Sequence, residues 1–139
     1  MVKKILISTL VGTLIYLMVG WLIFDFILGN YTELNTTQIA GFKKSEVEYS
    51  YCWLVISCLA YSLLLSILII RFLNIKEPKK GLFVGIIIGV LIAIMTDSYW
   101  NASTYFYSNL IVVLFDIVGA AISVGILGLT VSLVNKNIN

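Results

Sequence analysis

Histidine is absent from this 139-residue chain. With it go the commonest zinc ligand, the usual haem ligand and the side chain that titrates nearest neutral pH. Charge is also scarce, at 12% of residues against about 25% in an ordinary soluble domain. Proline occurs once, at Pro78. The two cysteines, Cys52 and Cys58, are not spaced as a C-x-x-C redox pair. On one helix they would stand about 9 Å apart along the axis and about 240° apart around it. A bridge needs Cα atoms within about 7 Å, so two free, buried thiols are expected. The net charge is only +2, and Lys and Arg fall in short loops rather than on one face, which argues against a nucleic-acid partner.

Apolar residues dominate instead, at 60%. A membrane-crossing helix needs about 20 of them in a row. Four segments qualify: Ile5 to Gly29, Tyr51 to Leu73, Gly81 to Tyr99 and Leu110 to Val134. The basic, then apolar start resembles a signal peptide, but the apolar run continues through Trp21-Leu22-Ile23-Phe24 with no small-x-small cleavage site, so an uncleaved first span is expected. There are no internal repeats, no low-complexity tracts and no linker to a second domain. The expectation is one all-α domain, residues 1–139, forming an integral membrane four-helix bundle in contact with lipid.

Basic residues orient that bundle. Lys3 and Lys4 precede the first span; Arg71, Lys76, Lys79 and Lys80 lie around the second loop; Lys136 is in the tail. In the first loop Lys43 and Lys44 are offset by Glu33, Glu46 and Glu48, and the third loop has no basic residue. Both termini are therefore expected in the cytoplasm. Tyr31, Tyr49, Tyr51, Trp53, Tyr99, Trp100, Tyr105 and Tyr107 crowd the opposite face as an interfacial aromatic belt. Asn35-Thr36-Thr37 and Asn101-Ala102-Ser103 read as sequons, and the Ile, Lys and Asn richness suggests a bacterial cytoplasmic membrane, where such triplets carry little weight.

The third span carries Gly81, Gly85, Gly89 and Ala93 at intervals of four, followed by Asp97 and Asn101 at the same spacing. Positions four apart lie nearly above one another, so one face is small and ends in polar groups. Small faces let helices approach closely in lipid, where no hydrophobic effect draws them together. The fourth span has a similar stripe: Asn109, Asp116, Ala120, Ser123, Leu127 and Thr130 fall within about 40° of one direction. Asp116 comes about 9 Å below the outer end of its span and Asp97 about 24 Å along its own. Asp25 is near the outer end of the first span. Ionisable groups at membrane depth are costly and by default mark a site or a buried partner.

Two roles fit these acids. Asp97 and Asp116, with Asn101, Asn109 and Trp100 nearby and Asp25 as a further candidate, would form an outward-facing pocket that binds or transports a small cationic ligand or ion. Alternatively, the acids bond across helices as packing glue, and the glycine stripe packs a homo-oligomer or a larger complex. Small multidrug exporters also combine four spans with a membrane acid, but theirs is a Glu in the middle of the first span, and this first span has no acid before Asp25. An enzyme ranks last: no nucleophile setting, metal-ligand spacing or cofactor motif is present.

The run Gly81-x-x-x-Gly85-x-x-x-Gly89, then Met95-Thr96-Asp97-Ser98, then Asp116-Ile117-Val118-Gly119, together with Gly20-Trp21-Leu22-Ile23-Phe24, resembles small uncharacterised bacterial four-span membrane proteins recorded as domains of unknown function. The resemblance covers most of the chain. It implies the four-helix fold and supplies no activity.

Overall fold

The computed structural model describes residues 1–37, 44 and 48–138. Lys43 and Glu46 of the first-loop charge count lie outside the described residues. Among the described residues the fold is all-helical, apart from one isolated bridge between Thr36 and Tyr107.

Helix α1 (Val2–Gly20) runs on through Trp21–Ile27 in widened turns, where the Leu28 N–H donates to the Ile23 carbonyl five residues back at 2.9 Å. Helix α3 (Tyr51–Ser66) does the same over Ile67–Phe72, with the Leu73 N–H on the Leu68 carbonyl at 2.9 Å. Between them, α2 (Gly29–Leu34) is one short helix in the first loop. Helices α4 (Pro78–Ser103) and α5 (Leu110–Asn137) complete the chain.

Local chemistry sets the ends. Asn74 takes a left-handed φ of 47°, and the Ile75 N–H closes back on the Ile69 carbonyl at 2.9 Å, ending α3. Asparagine tolerates that conformation better than most residues. Pro78 opens α4, where its missing N–H has no helical partner to lose. Asn109 caps α5 by accepting from the N–H groups of Ile111 (2.9 Å) and Val112 (3.2 Å).

Four helical stretches, Val2–Ile27, Tyr51–Phe72, Pro78–Ser103 and Leu110–Asn137, are long and apolar enough to cross a membrane. The 26 residues of Pro78–Ser103 would reach about 39 Å, more than a hydrocarbon core of about 30 Å requires. The expected spans are present, though their ends follow the caps rather than the limits of the apolar runs.

Helix α4 packs along α5, α5 also packs on α1, and α1 packs on α3. Small polar residues share the interior with apolar ones, and large apolar side chains also face outward. Ser8, Ser62, Ser66, Ser123 and Ser132 are fully buried, while Leu6, Leu10, Leu14 and Met18 form an exposed row on α1, and Phe83, Ile87, Leu91 and Met95 another on α4. Such rows suit lipid contact. Larger apolar side chains fill the core towards the end that holds the chain termini, where Leu65, Ile69, Ile70, Val124, Leu127 and Val131 cluster.

Gly81, Gly85 and Gly89 lie against α5 within the same chain. A Cβ at Gly89 would stand 2.6 Å from the Ala120 carbonyl oxygen; at Gly85 it would meet the Val124 carbonyl, and at Gly81 it would meet Ser132 and Gly128. Ala93 is buried on the same row. At a second close seam α1 meets both α5 and α3: a Cβ at Gly12 would stand 2.7 Å from Leu127 of α5 and 3.3 Å from Ser62 of α3. The same antiparallel register places Ser8 level with Ser66. Cys58 is buried at this seam, but Cys52 is exposed, against the expectation of two buried thiols. Their angular separation puts only one of them on the core side.

Candidate functional site

Asp97 ends the small stripe of α4, which α5 covers, and it is 3% exposed. Asp116 sits half-buried on α5, close enough to Asp97 for the two carboxyls to interact electrostatically. The stripes of α4 and α5 bring them together. Both helices turn small residues towards the shared seam, so acids on those faces converge.

The Tyr107 hydroxyl donates to Asp97 Oδ1 at 2.7 Å. It arrives there from the α4–α5 loop, which is pinned to the segment after α2. The Thr37 N–H donates to the Phe106 carbonyl at 2.8 Å, the Ser108 N–H to the Asn35 carbonyl at 3.0 Å, and Asn109 Nδ2 to Asn35 Oδ1 at 2.7 Å. The Thr37 hydroxyl also donates to the Tyr105 carbonyl. Burial, then the hydrogen bond to Asp97 and the negative charges of Asp97 and Asp116, push the Tyr107 phenol above its ordinary range. Tyr107 therefore remains a hydrogen-bond donor across the neutral pH range.

Asp97 Oδ2 is buried with no hydrogen-bond donor among the described residues. Two carboxyls in contact repel when both are charged and attract when they share a proton or flank a cation. On its other side Asp116 interacts electrostatically with Tyr16 and Tyr61, whose rings stack at 5.3 Å, and Tyr16 lies close to Ser123. A polar core thus runs from Tyr107 through Asp97 and Asp116 to Tyr16 and Ser123.

The other candidates lie apart or have different tasks. Asn109 is half-buried and engaged as the α5 cap and with Asn35. Asn101 is exposed near the end of α4. Trp100 is 39% exposed and packs with Phe106 at a 5.9 Å centroid distance. Asp25 is exposed and lines a separate cavity between α1 and α3. Among the described residues no three His, Cys, Asp or Glu side chains converge as a metal site would require.

Sequence reasoning did not find Tyr107, Tyr16, Tyr61 or Asn35. Tyr107 counted only as one of the interfacial aromatics, and its reach to Asp97 depends on a loop pairing that no periodicity encodes. The Tyr16 position could have been found: Ser8, Gly12 and Tyr16 recur every four residues on α1, facing the Cys58, Ser62, Ser66 row on α3.

The chain matches no family profile, no curated protein and no solved structure.

Proposed function

We propose that this is a four-span bacterial cytoplasmic-membrane protein that binds a proton or small monovalent cation at the Asp97–Asp116 pair. Both termini are cytoplasmic in this reading, because the basic residues gather at that end, and the pair then lies towards the outer face beneath Tyr107. The supporting observation is Asp97 itself. It is an almost fully buried carboxyl with one oxygen held by Tyr107, the other without a donor among the described residues, and a second carboxyl near enough to interact electrostatically. The resemblance to small four-span families of unknown function remains part of the proposal and adds no activity. No enzymatic role and no nucleic-acid partner is proposed. The alternative, a structural subunit in an oligomer, draws on the glycine stripe, and α5 occupies that stripe within the chain.

The test is a thermal-shift titration in mild detergent over pH and a panel of alkali and small organic cations, with Asp97→Asn and Asp116→Asn beside the wild type. The expected result is stabilisation by protons or one cation class that both substitutions remove. Variants that are uniformly less stable and respond to every condition as the wild type does would make the acids packing glue and refute the proposal.

A further inference from the structure

Asp25 stands apart from the acid pair, at the edge of a cavity of about 260 Å³ between α1 and α3. Tyr16, Trp21, Phe24 and Tyr49 supply aromatic surface, and Gly20 opens the wall. A Cβ added at Gly20 meets nothing within 4 Å, unlike one at Gly81, Gly85 or Gly89. Gly20 therefore leaves space, where the α4 glycines permit contact. Among the described residues no Lys or Arg lines this cavity. Lys44 borders only the wider mouth, alongside Asp25 and Tyr49. Among the described residues Asp25 has no ion-pair partner; the one ion pair is Lys80 with Glu77, at the opposite end of the bundle.

We infer that this cavity is a second binding site, for a lipophilic monovalent organic cation of the quaternary ammonium or phosphonium class. The chemistry is complementary on each side. Asp25 supplies a counter-charge near the end of the span, where a cation arriving from the interface first meets the helix. The aromatic faces attract the cation and accept its apolar substituents. A neutral apolar ligand would leave the carboxylate unused, and an anion would face it directly. The site also adjoins the acid pair without merging with it. Tyr16 lines the cavity and also lies near Ser123 and Asp116 on α5.

The experiment measures equilibrium binding of tritiated tetraphenylphosphonium to the full chain in lipid nanodiscs. Wild type should bind saturably, and benzyltrimethylammonium should compete where neutral triphenylphosphine oxide does not. Asp25→Asn should weaken binding about tenfold by removing the counter-charge, and Gly20→Leu should weaken it about tenfold or more by filling the cavity. Both positions are free of tight packing, so wild-type melting temperatures should accompany the loss. No saturable binding by wild type overturns the inference, as does wild-type affinity in the two variants. Binding that survives Asp25→Asn and disappears in Asp97→Asn would move the cation to the acid pair and overturn it as well.

Discussion

Two alanine substitutions with opposite outcomes test the packing of α4 on α5. At Gly85, an added Cβ would collide with the Val124 carbonyl oxygen and stand 3.0 Å from the Gly125 Cα. Both are backbone atoms, so no rotamer change relieves the collision. Relief requires the helices to separate by about 1 Å, and a gap of that size forfeits about a quarter to a half of each contact's dispersion energy. Overpacking of this kind costs about 1–3 kcal/mol. At Gly20, the same methyl group enters open space.

Replacing glycine by alanine within a helix also favours the helix by about 0.5–1 kcal/mol. That gain is shared by Gly85→Ala and Gly20→Ala, so the difference between them isolates the collision. Gly20→Ala should be slightly more stable than wild type, and Gly85→Ala should fall below Gly20→Ala by about 1–3 kcal/mol. Reversible unfolding in mixed micelles, followed by circular dichroism, measures both on one scale. Equal stability of the two variants would refute the claim that backbone contact at the stripe holds α4 to α5.

Asn109→Ala should destabilise the protein by about 1 kcal/mol through loss of the α5 cap, with Asn109→Asp retaining most of the stability, in the same unfolding assay. Asn74→Val should cost about 1–2 kcal/mol, because a β-branched residue resists the left-handed turn that ends α3, whereas Asn74→Gly should be nearly neutral. Tyr107→Phe removes the donor from Asp97 Oδ1 and should cost about 1–3 kcal/mol near neutral pH. The folded phenol lies above the unfolded value of about 10, so its contribution is complete below that pH and is lost as pH rises towards the folded value. The stability gap between wild type and Tyr107→Phe should therefore narrow in melts above pH ~10. A constant gap up to the alkaline limit would contradict that linkage.

The four spans could be read in the sequence because each is a long apolar run, and lipid accepts few alternatives to a helix there. Their ends could not, because Asn74, Pro78 and Asn109 act through backbone geometry that hydropathy does not register. The α4 stripe was legible as a pattern because four-residue spacing on a straight helix defines one face. Its partner, α5, was less so: Gly125 and Gly128 meet Leu82, Ile86, Gly81 and Gly85 off the polar stripe traced through Asp116 and Ser123. Depth alone placed Asp25 with the other acids. Depth carries no information about direction around the bundle, and the α1–α3 side is where Asp25 lies.

The polar groups inside the bundle are of three kinds: hydroxyls that bond back to their own helix, hydroxyls such as Ser8, Thr9, Ser62 and Ser66 that have no hydrogen-bond partner among the described residues, and the Asp97 carboxyl. Buried Thr13 donates to the Thr9 carbonyl at 2.7 Å and Ser132 to the Leu129 carbonyl at 2.8 Å, and half-buried Thr130 does the same to the Ile126 carbonyl at 2.8 Å. A hydroxyl can bond back to its own helix in this way and then behave as a small, nearly neutral packing unit. An ionised carboxylate cannot, because helix carbonyls and carboxylate oxygens are both acceptors. Asp97 therefore depends on donors from elsewhere, and the fold brings a loop tyrosine across to supply one. A helix that needed only a small residue at this place could use serine, as α3 does at Ser62 and Ser66. An acid that requires an imported donor, set against a second acid, costs stability that packing does not explain, and that cost is the physical reason to assign the pair a bound proton or cation.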